Sequence, residues 1–180
     1  MSLLGHKQKS IRGKSSLVIY FSHTGENYMA DGIKNINKGN TEIVAEKIQD
    51  IVNADLFKVE PLNEYPYNYR ECCDVAKKEL NEDTRPELTN YLETIDDYEV
   101  IYIGGPVWWG HLPMPIFTQL EKLNFEGKIV KLFTTNEGSG LGDCPKDIEK
   151  LCKGAKILKG LAIRGSNSKN SNIELENWIV

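Results

Sequence analysis

The chain has 180 residues, 40% of them hydrophobic and 27% charged, with a formal net charge of −4. That balance fits one soluble globular domain and argues against nucleic acid as the main partner; no stretch approaches the roughly 20 apolar residues of a membrane span. Four cysteines (Cys72, Cys73, Cys144, Cys152) form no C-x-x-C pair and read as thiols of a reducing compartment rather than metal ligands.

Lys7, Lys9, Arg12 and Lys14 mark residues 1–15 as a flexible basic arm, with residues 16–180 as a single domain. The apolar run behind the arm is too short for a signal peptide, so the expected location is cytoplasmic. Leu17-Val18-Ile19-Tyr20-Phe21 is a continuous apolar run, as in a strand buried on both faces. Ser22-His23-Thr24-Gly25-Glu26-Asn27-Tyr28 then resembles the start of an anion-holding loop, yet no helix follows at once. Polar and small residues intervene up to Gly39-Asn40-Thr41, where a helix begins: Val44, Ile48, Ile51 and Val52 share one face, and Asn40 is the expected N-cap.

Leu56-Phe57-Lys58-Val59 alternates and reads as an edge strand. After a loop containing Pro61 and Pro66, a helix is expected from about Asn68 to Asn81, with Cys73, Ala76 and Leu80 turned inward. Val100 to Ile103 forms a third strand ending in Gly104-Gly105-Pro106. The next helix carries Ile116, Phe117, Leu120 and Leu123, with Pro115 in its first turn. A fourth strand spans Ile129 to Thr134, a helix lies around Asp147 to Cys152, and a fifth strand spans Ile157 to Ile163. The tail from Asn172 starts a last helix through Leu175, Trp178 and Ile179, short enough to leave the sheet incompletely covered.

Strands alternating with helices imply a parallel sheet with right-handed crossovers. Such a sheet binds ligands beyond the carboxyl ends of its strands, where strand order reverses. Three loops fall there. The first, Ser22 to Tyr28, offers hydroxyls, a glycine and no Lys or Arg, which suits a single terminal phosphate held by neutral donors; a plain turn with an unrelated helix cap is the competing reading. The second, Gly104 to His111, holds Trp108 and Trp109, which either cap the core or stack on a planar ligand. The third, Thr134 to Gly142, has glycines at alternate positions and either meets a ring edge or forms a surface loop.

Other matches fail on context. Gly13-Lys14-Ser15 precedes its strand and lacks the earlier glycine of a phosphate-binding loop, and Gly138-Ser139-Gly140 lacks nucleophile-elbow spacing. His23 and His111 read as loop hydrogen-bonders, and no cluster of metal-ligating residues stands out.

With these three loops in this order, the sequence resembles the flavodoxin family from about Ser16 to Ile163, and in its last helix. Ser22-x-Thr24-Gly25 and Asn40-Thr41 look like two halves of the family's phosphate loop, split by an insertion from Glu26 to Gly39. Pro106-Val107-Trp108-Trp109-Gly110 is similar to its ring-binding loop. The resemblance implies an α/β, flavodoxin-like three-layer fold: a five-stranded parallel sheet in the order 2-1-3-4-5 with helices on both faces. It implies FMN as cofactor, its phosphate held by Ser22, Thr24, Gly25, Asn27, Asn40 and Thr41, with Glu26 also in the cofactor site and Tyr28 covering the phosphate or ribityl chain. Pro106, Val107, Trp108, Trp109 and Gly110 would line the ring, and Thr135, Asn136, Glu137 and Gly138 would approach it from the other side. Thr134 to Gly142 lacks the aromatic residue that many short flavodoxins carry there, which leaves one ring face open. Three functions follow: an FMN-binding electron carrier serving a redox partner protein, an FMN-dependent NAD(P)H:quinone oxidoreductase acting on a small quinone or nicotinamide, or a non-redox module. A monomer or weak dimer is expected.

Overall fold

A computed structural model describes residues 13–180. Lys7, Lys9 and Arg12 of the expected basic arm lie outside the described residues. Lys14 lies inside them and is tied down, its Nζ 2.9 Å from Glu99 Oε1. The chain continues through β1 (Ser16–Tyr20), a hairpin of β2 (Gly25–Met29) and β3 (Gly32–Ile36), α1 (Asn40–Val52) and β4 (Asp55–Lys58). Next come α2 (Tyr69–Asn81), β5 (Val100–Pro106), α3 (Met114–Leu120), β6 (Ile129–Asn136), α4 (Cys144–Leu151) and β7 (Lys156–Arg164). A 3-10 segment (Gly165–Asn170) and α5 (Asn172–Ile179) end the chain.

Five strands form one parallel sheet in the order β4-β1-β5-β6-β7, the expected 2-1-3-4-5 order once the hairpin is set apart. The chain leaves β1 for the edge at β4 and returns to the other side of β1 at β5, so strand order reverses beside the β1 carboxyl end. Alternation along β1 divides the core. Leu17, Ile19 and Phe21 pack with Ile116 and Leu120 of α3 and Ile148 of α4. Val18 and Tyr20 pack on the opposite face with Val44 and Ile48 of α1 and Leu175 and Ile179 of α5.

Several expectations are corrected. The N-cap of α1 is Gly39, not Asn40, and Ser22 Oγ accepts from Glu42 N at 3.0 Å, so the capping oxygen comes from the end of β1. On α2, Cys72 and Ala76 are the buried pair, while Cys73 is only half-buried, because Cys72, four residues before Ala76, takes the inward position. Thr135 and Asn136 are not loop residues: β6 extends through them, paired with Ile163 and Arg164. The tail does pack on the sheet, with Leu175 and Ile179 fully buried, while β7 stays largely exposed or half-buried. Lys131 on β6 is buried as well; its Nζ donates to Trp178 O and lies 4.4 Å from the Trp178 ring centroid. Burial pushes its pKa down to about 8.

The intervening segment after β1 is itself structured. β2 and β3 pair antiparallel from Gly25↔Ile36 to Met29↔Gly32, leaving Ala30-Asp31 as a two-residue turn. Most of β3 is exposed, so the hairpin contributes little to either core cluster.

Candidate functional site

A cavity of about 720 Å³ opens beyond the carboxyl ends of β1, β5 and β6. Its walls come from five places: the exit of β1 with β2, the start of α1, the first two turns of α2, the loop after β5, and the end of β6 with Gly165.

The two halves of the split loop meet at this cavity. A Cβ on Gly39 would stand 2.0 Å from Ser22 Oγ and 2.8 Å from His23 O, so only glycine lets the helix entry lie against the strand exit. The first-turn amides of α1 at Asn40 and Thr41 have no intrahelical partners, and the dipole of the helix adds positive character there. Three of the expected phosphate side chains are otherwise engaged. Ser22 caps α1, and Thr41 Oγ1 lies 2.7 Å from Thr135 Oγ1 with both residues buried. Asn40 donates to Met29 Sδ at 3.4 Å and accepts from Ser168 Oγ at 3.2 Å.

Of the residues named from sequence, Glu26, Asn27, Tyr28 and Asn40 line the cavity, as do Pro106, Val107, Trp108 and Trp109, and Thr135 through Gly138. Ser22, Thr24, Gly25, Thr41 and Gly110 do not. Thr24 is exposed. Gly25 has φ +84°, and a Cβ there would stand 3.1 Å from Tyr67, so it is the turn residue that launches the hairpin. Gly110 belongs to a tight turn closed by mutual backbone hydrogen bonds between Trp108 and His111 at 2.9 and 3.0 Å. That turn gives Trp109 a φ of +53°, an unusual conformation for a large side chain.

The turn separates the tryptophans. Trp108 is half-buried and packs edgewise on Phe21, Tyr65 and His23, with ring centroids 5.2, 4.8 and 5.8 Å away. Trp109 is 51% exposed, donates from Nε1 to Cys73 O at 3.0 Å, and has Lys77 Nζ 4.7 Å from its ring centroid. His111 Nδ1 is 2.9 Å from Asp147 Oδ1, and Asp147 Oδ2 accepts from Leu112 N at 3.0 Å, which pins the turn to α4.

Two polar atoms of residues lining the cavity, His23 Nε2 and Glu137 Oε2, are buried and have no hydrogen-bond partner among the described residues. Burial holds the His23 pKa below the ordinary histidine value, so the ring is neutral at pH 7. The other oxygen of Glu137 accepts from Ser166 N at 2.6 Å, and Ser166 Oγ accepts from Ala30 N at 2.8 Å. The hairpin tip is thereby joined to the loop after β6. Its base is held at the other end: Glu26 Oε2 accepts from Tyr69 N at 2.8 Å and from Asn68 Nδ2 at 3.0 Å.

Sequence reading missed the α2 wall, made by Tyr69, Arg70, Cys72, Cys73 and Ala76, and the contribution of Gly165. The helix itself was legible. Asn68 caps it locally, accepting from Arg70 N and Glu71 N, while the contact that joins it to β2, Tyr69 N to Glu26, comes from far away in sequence and no local pattern reveals it.

The family profile described as Flavodoxin matches residues 15–180. The chain belongs to the flavodoxin family. It is 28% identical over 129 residues to flavodoxin 2 of Salmonella typhi, covering 69% of this chain and 60% of that protein. With flavodoxin 2 of Escherichia coli strain K12 it shares 29% identity over 107 residues, or 57% of this chain and 47% of the relative. It thus matches only part of the length of these curated relatives. Among solved structures, a candidate flavoprotein from Bacteroides uniformis superposes with a TM-score of 0.74 at 26% identity, covering 93% of this chain and 99% of its own. A flavoprotein from Lactobacillus acidophilus NCFM in complex with FMN gives 0.60 at 22% identity, covering 87% and 97%, which shows the shared fold.

Proposed function

We propose that this flavodoxin-family protein binds FMN in the cavity and carries electrons between redox partners. The observation that carries the reading is the packing of Gly39 against Ser22 and His23, which sets the α1 N-terminus beside an aromatic-lined cavity. Because Ser22, Asn40 and Thr41 are engaged internally, the phosphate is assigned to the backbone amides at the start of α1 rather than to their side chains. The donor set fits the group: amides for a phosphate, two unpartnered buried polar atoms on residues of the cavity wall, and tryptophan and tyrosine rings for a planar heterocycle. When bound, FMN supplies one- and two-electron redox chemistry, while the protein orients it and controls its exposure to water. Neutral His23 places no positive charge beside the ring site. Four free cysteines suit a reducing compartment such as the cytoplasm.

A second reading rests on exposure at the cavity mouth, where Tyr28 and Trp109 are 54% and 51% exposed. An open mouth admits a small quinone or nicotinamide directly, as an FMN-dependent NAD(P)H:quinone oxidoreductase requires. Potentiometric titration and turnover assays of the FMN-loaded protein separate the two. Two resolved one-electron steps without NAD(P)H-dependent quinone turnover support the carrier; rapid turnover by the protein alone supports the enzyme. A purified protein that takes up no FMN refutes both.

A further inference from the structure

The loop after β6 carries no aromatic residue, so the sequence predicts a flavin with one uncovered face. The structure supplies aromatic rings from elsewhere. Tyr28 of β2 and Tyr69 of α2 both line the cavity, with ring centroids 6.2 Å apart and planes tilted by 33°. Neither placement is accidental. Glu26 accepts from Tyr69 N, which locks the strand bearing Tyr28 onto the helix turn bearing Tyr69. One turn further along α2, the backbone carbonyl of Cys73 accepts from Trp109 Nε1. Tyr28 and Tyr69, in ring contact with each other, and Trp109, tied to the next turn of the helix, thus line the α2 side of the cavity. A 54%-exposed Tyr28 and a 51%-exposed Trp109 leave much apolar ring area in water, and a planar ligand is what would cover it.

We propose that Tyr69 and Tyr28 are stacking residues for the isoalloxazine ring and form, with Trp109, the aromatic wall that the loop after β6 lacks. This assignment rests on the FMN reading. It also moves Tyr28 from the phosphate or ribityl chain, where the sequence placed it, to the ring.

Lumiflavin, which keeps the ring system but has neither ribityl chain nor phosphate, separates the two roles. FMN and lumiflavin are titrated against wild type, Tyr28→Leu, Tyr69→Leu and the corresponding Phe variants, following flavin fluorescence, with a melting curve for each protein. Each Leu variant is expected to weaken both ligands by the same factor, about five-fold, and to restore fluorescence to the bound flavin. Both Phe variants keep wild-type affinity, because the ring and not the hydroxyl makes the contact; they also preserve packing should Tyr69→Leu fold poorly. Loss confined to FMN overturns the proposal by returning the tyrosines to the phosphate-bearing chain. Unchanged affinities in the Leu variants overturn it by placing the ring elsewhere. A wild type that binds neither flavin overturns the FMN reading and this assignment together.

Discussion

Replacing Gly39 with alanine tests whether the split loop acts as one site. The glycine has φ −65° and ψ 148°, which any residue adopts, so the backbone itself tolerates alanine. By reducing the freedom of the unfolded chain, the change alone would stabilise by about 0.4–1 kcal/mol. The side chain is the problem. Its Cβ would lie 2.0 Å from Ser22 Oγ and 2.8 Å from His23 O, where ordinary contact begins at 3.4 Å, so the β1 exit must retreat by more than an ångström. Overpacking of this kind costs about 1–3 kcal/mol, and loss of the Ser22 bond to Glu42 N adds about 0.5–2 kcal/mol. Gly39→Ala should therefore lose about 0.5–4.6 kcal/mol in urea unfolding. Parted halves also misplace the anion site, so FMN affinity should fall about ten-fold while riboflavin, which has no phosphate, changes less than about two-fold. Wild-type unfolding together with wild-type FMN affinity would mean that the two halves do not form one site.

Three further outcomes are expected. Thr41→Val leaves the buried Thr135 hydroxyl without its partner and should lower stability by about 1–3 kcal/mol; the Thr41→Val, Thr135→Val double variant should recover much of this in a double-mutant cycle. Lys131 has a folded pKa near 8 against an ordinary 10.5, so the unfolded chain binds the proton more readily and the burial penalty is full below pH 8. The stability of wild type minus that of Lys131→Met should therefore rise as pH increases from about 8 to about 10.5, a difference that cancels the thiols and phenols titrating nearby. A flat difference in urea unfolding across that window would contradict it. Glu26→Ala removes the contact joining the hairpin to α2 and should speed amide exchange in residues 25–36, measured by mass spectrometry, at a cost of about 1 kcal/mol.

The sheet was legible because its strands carry local signals. Leu17 to Phe21 and Val100 to Ile103 are continuous apolar runs, and the helices between them keep one apolar face. The hairpin was not, because most residues of β3 are exposed and its hold on the molecule comes from long-range contacts, Glu26 with Tyr67 and Tyr69, Tyr28 with Tyr69, and Ala30 with Ser166. Asn40 fits an N-cap by residue type and position, yet the capping oxygen comes from Ser22 across the split. The tryptophans were recognised as ligand candidates, but their different roles depend on the turn at Trp109 and Gly110, where a large residue takes a positive φ against its local preference. Local sequence carried the elements and named most residues of the cavity wall. The α2 wall and the engagement of Thr41 by Thr135 depend on long-range pairing, which no single segment encodes.

One anion site at the α1 N-terminus, assembled from two separated segments, is proposed to hold the phosphate of a flavin. Titrating the flavin-free protein with FMN and with riboflavin, side by side, tests it most directly. FMN binding at least about ten-fold tighter than riboflavin is the predicted result, since only FMN gives the α1 amides an anion to bind. Equal affinities, or no uptake of either flavin, would contradict it.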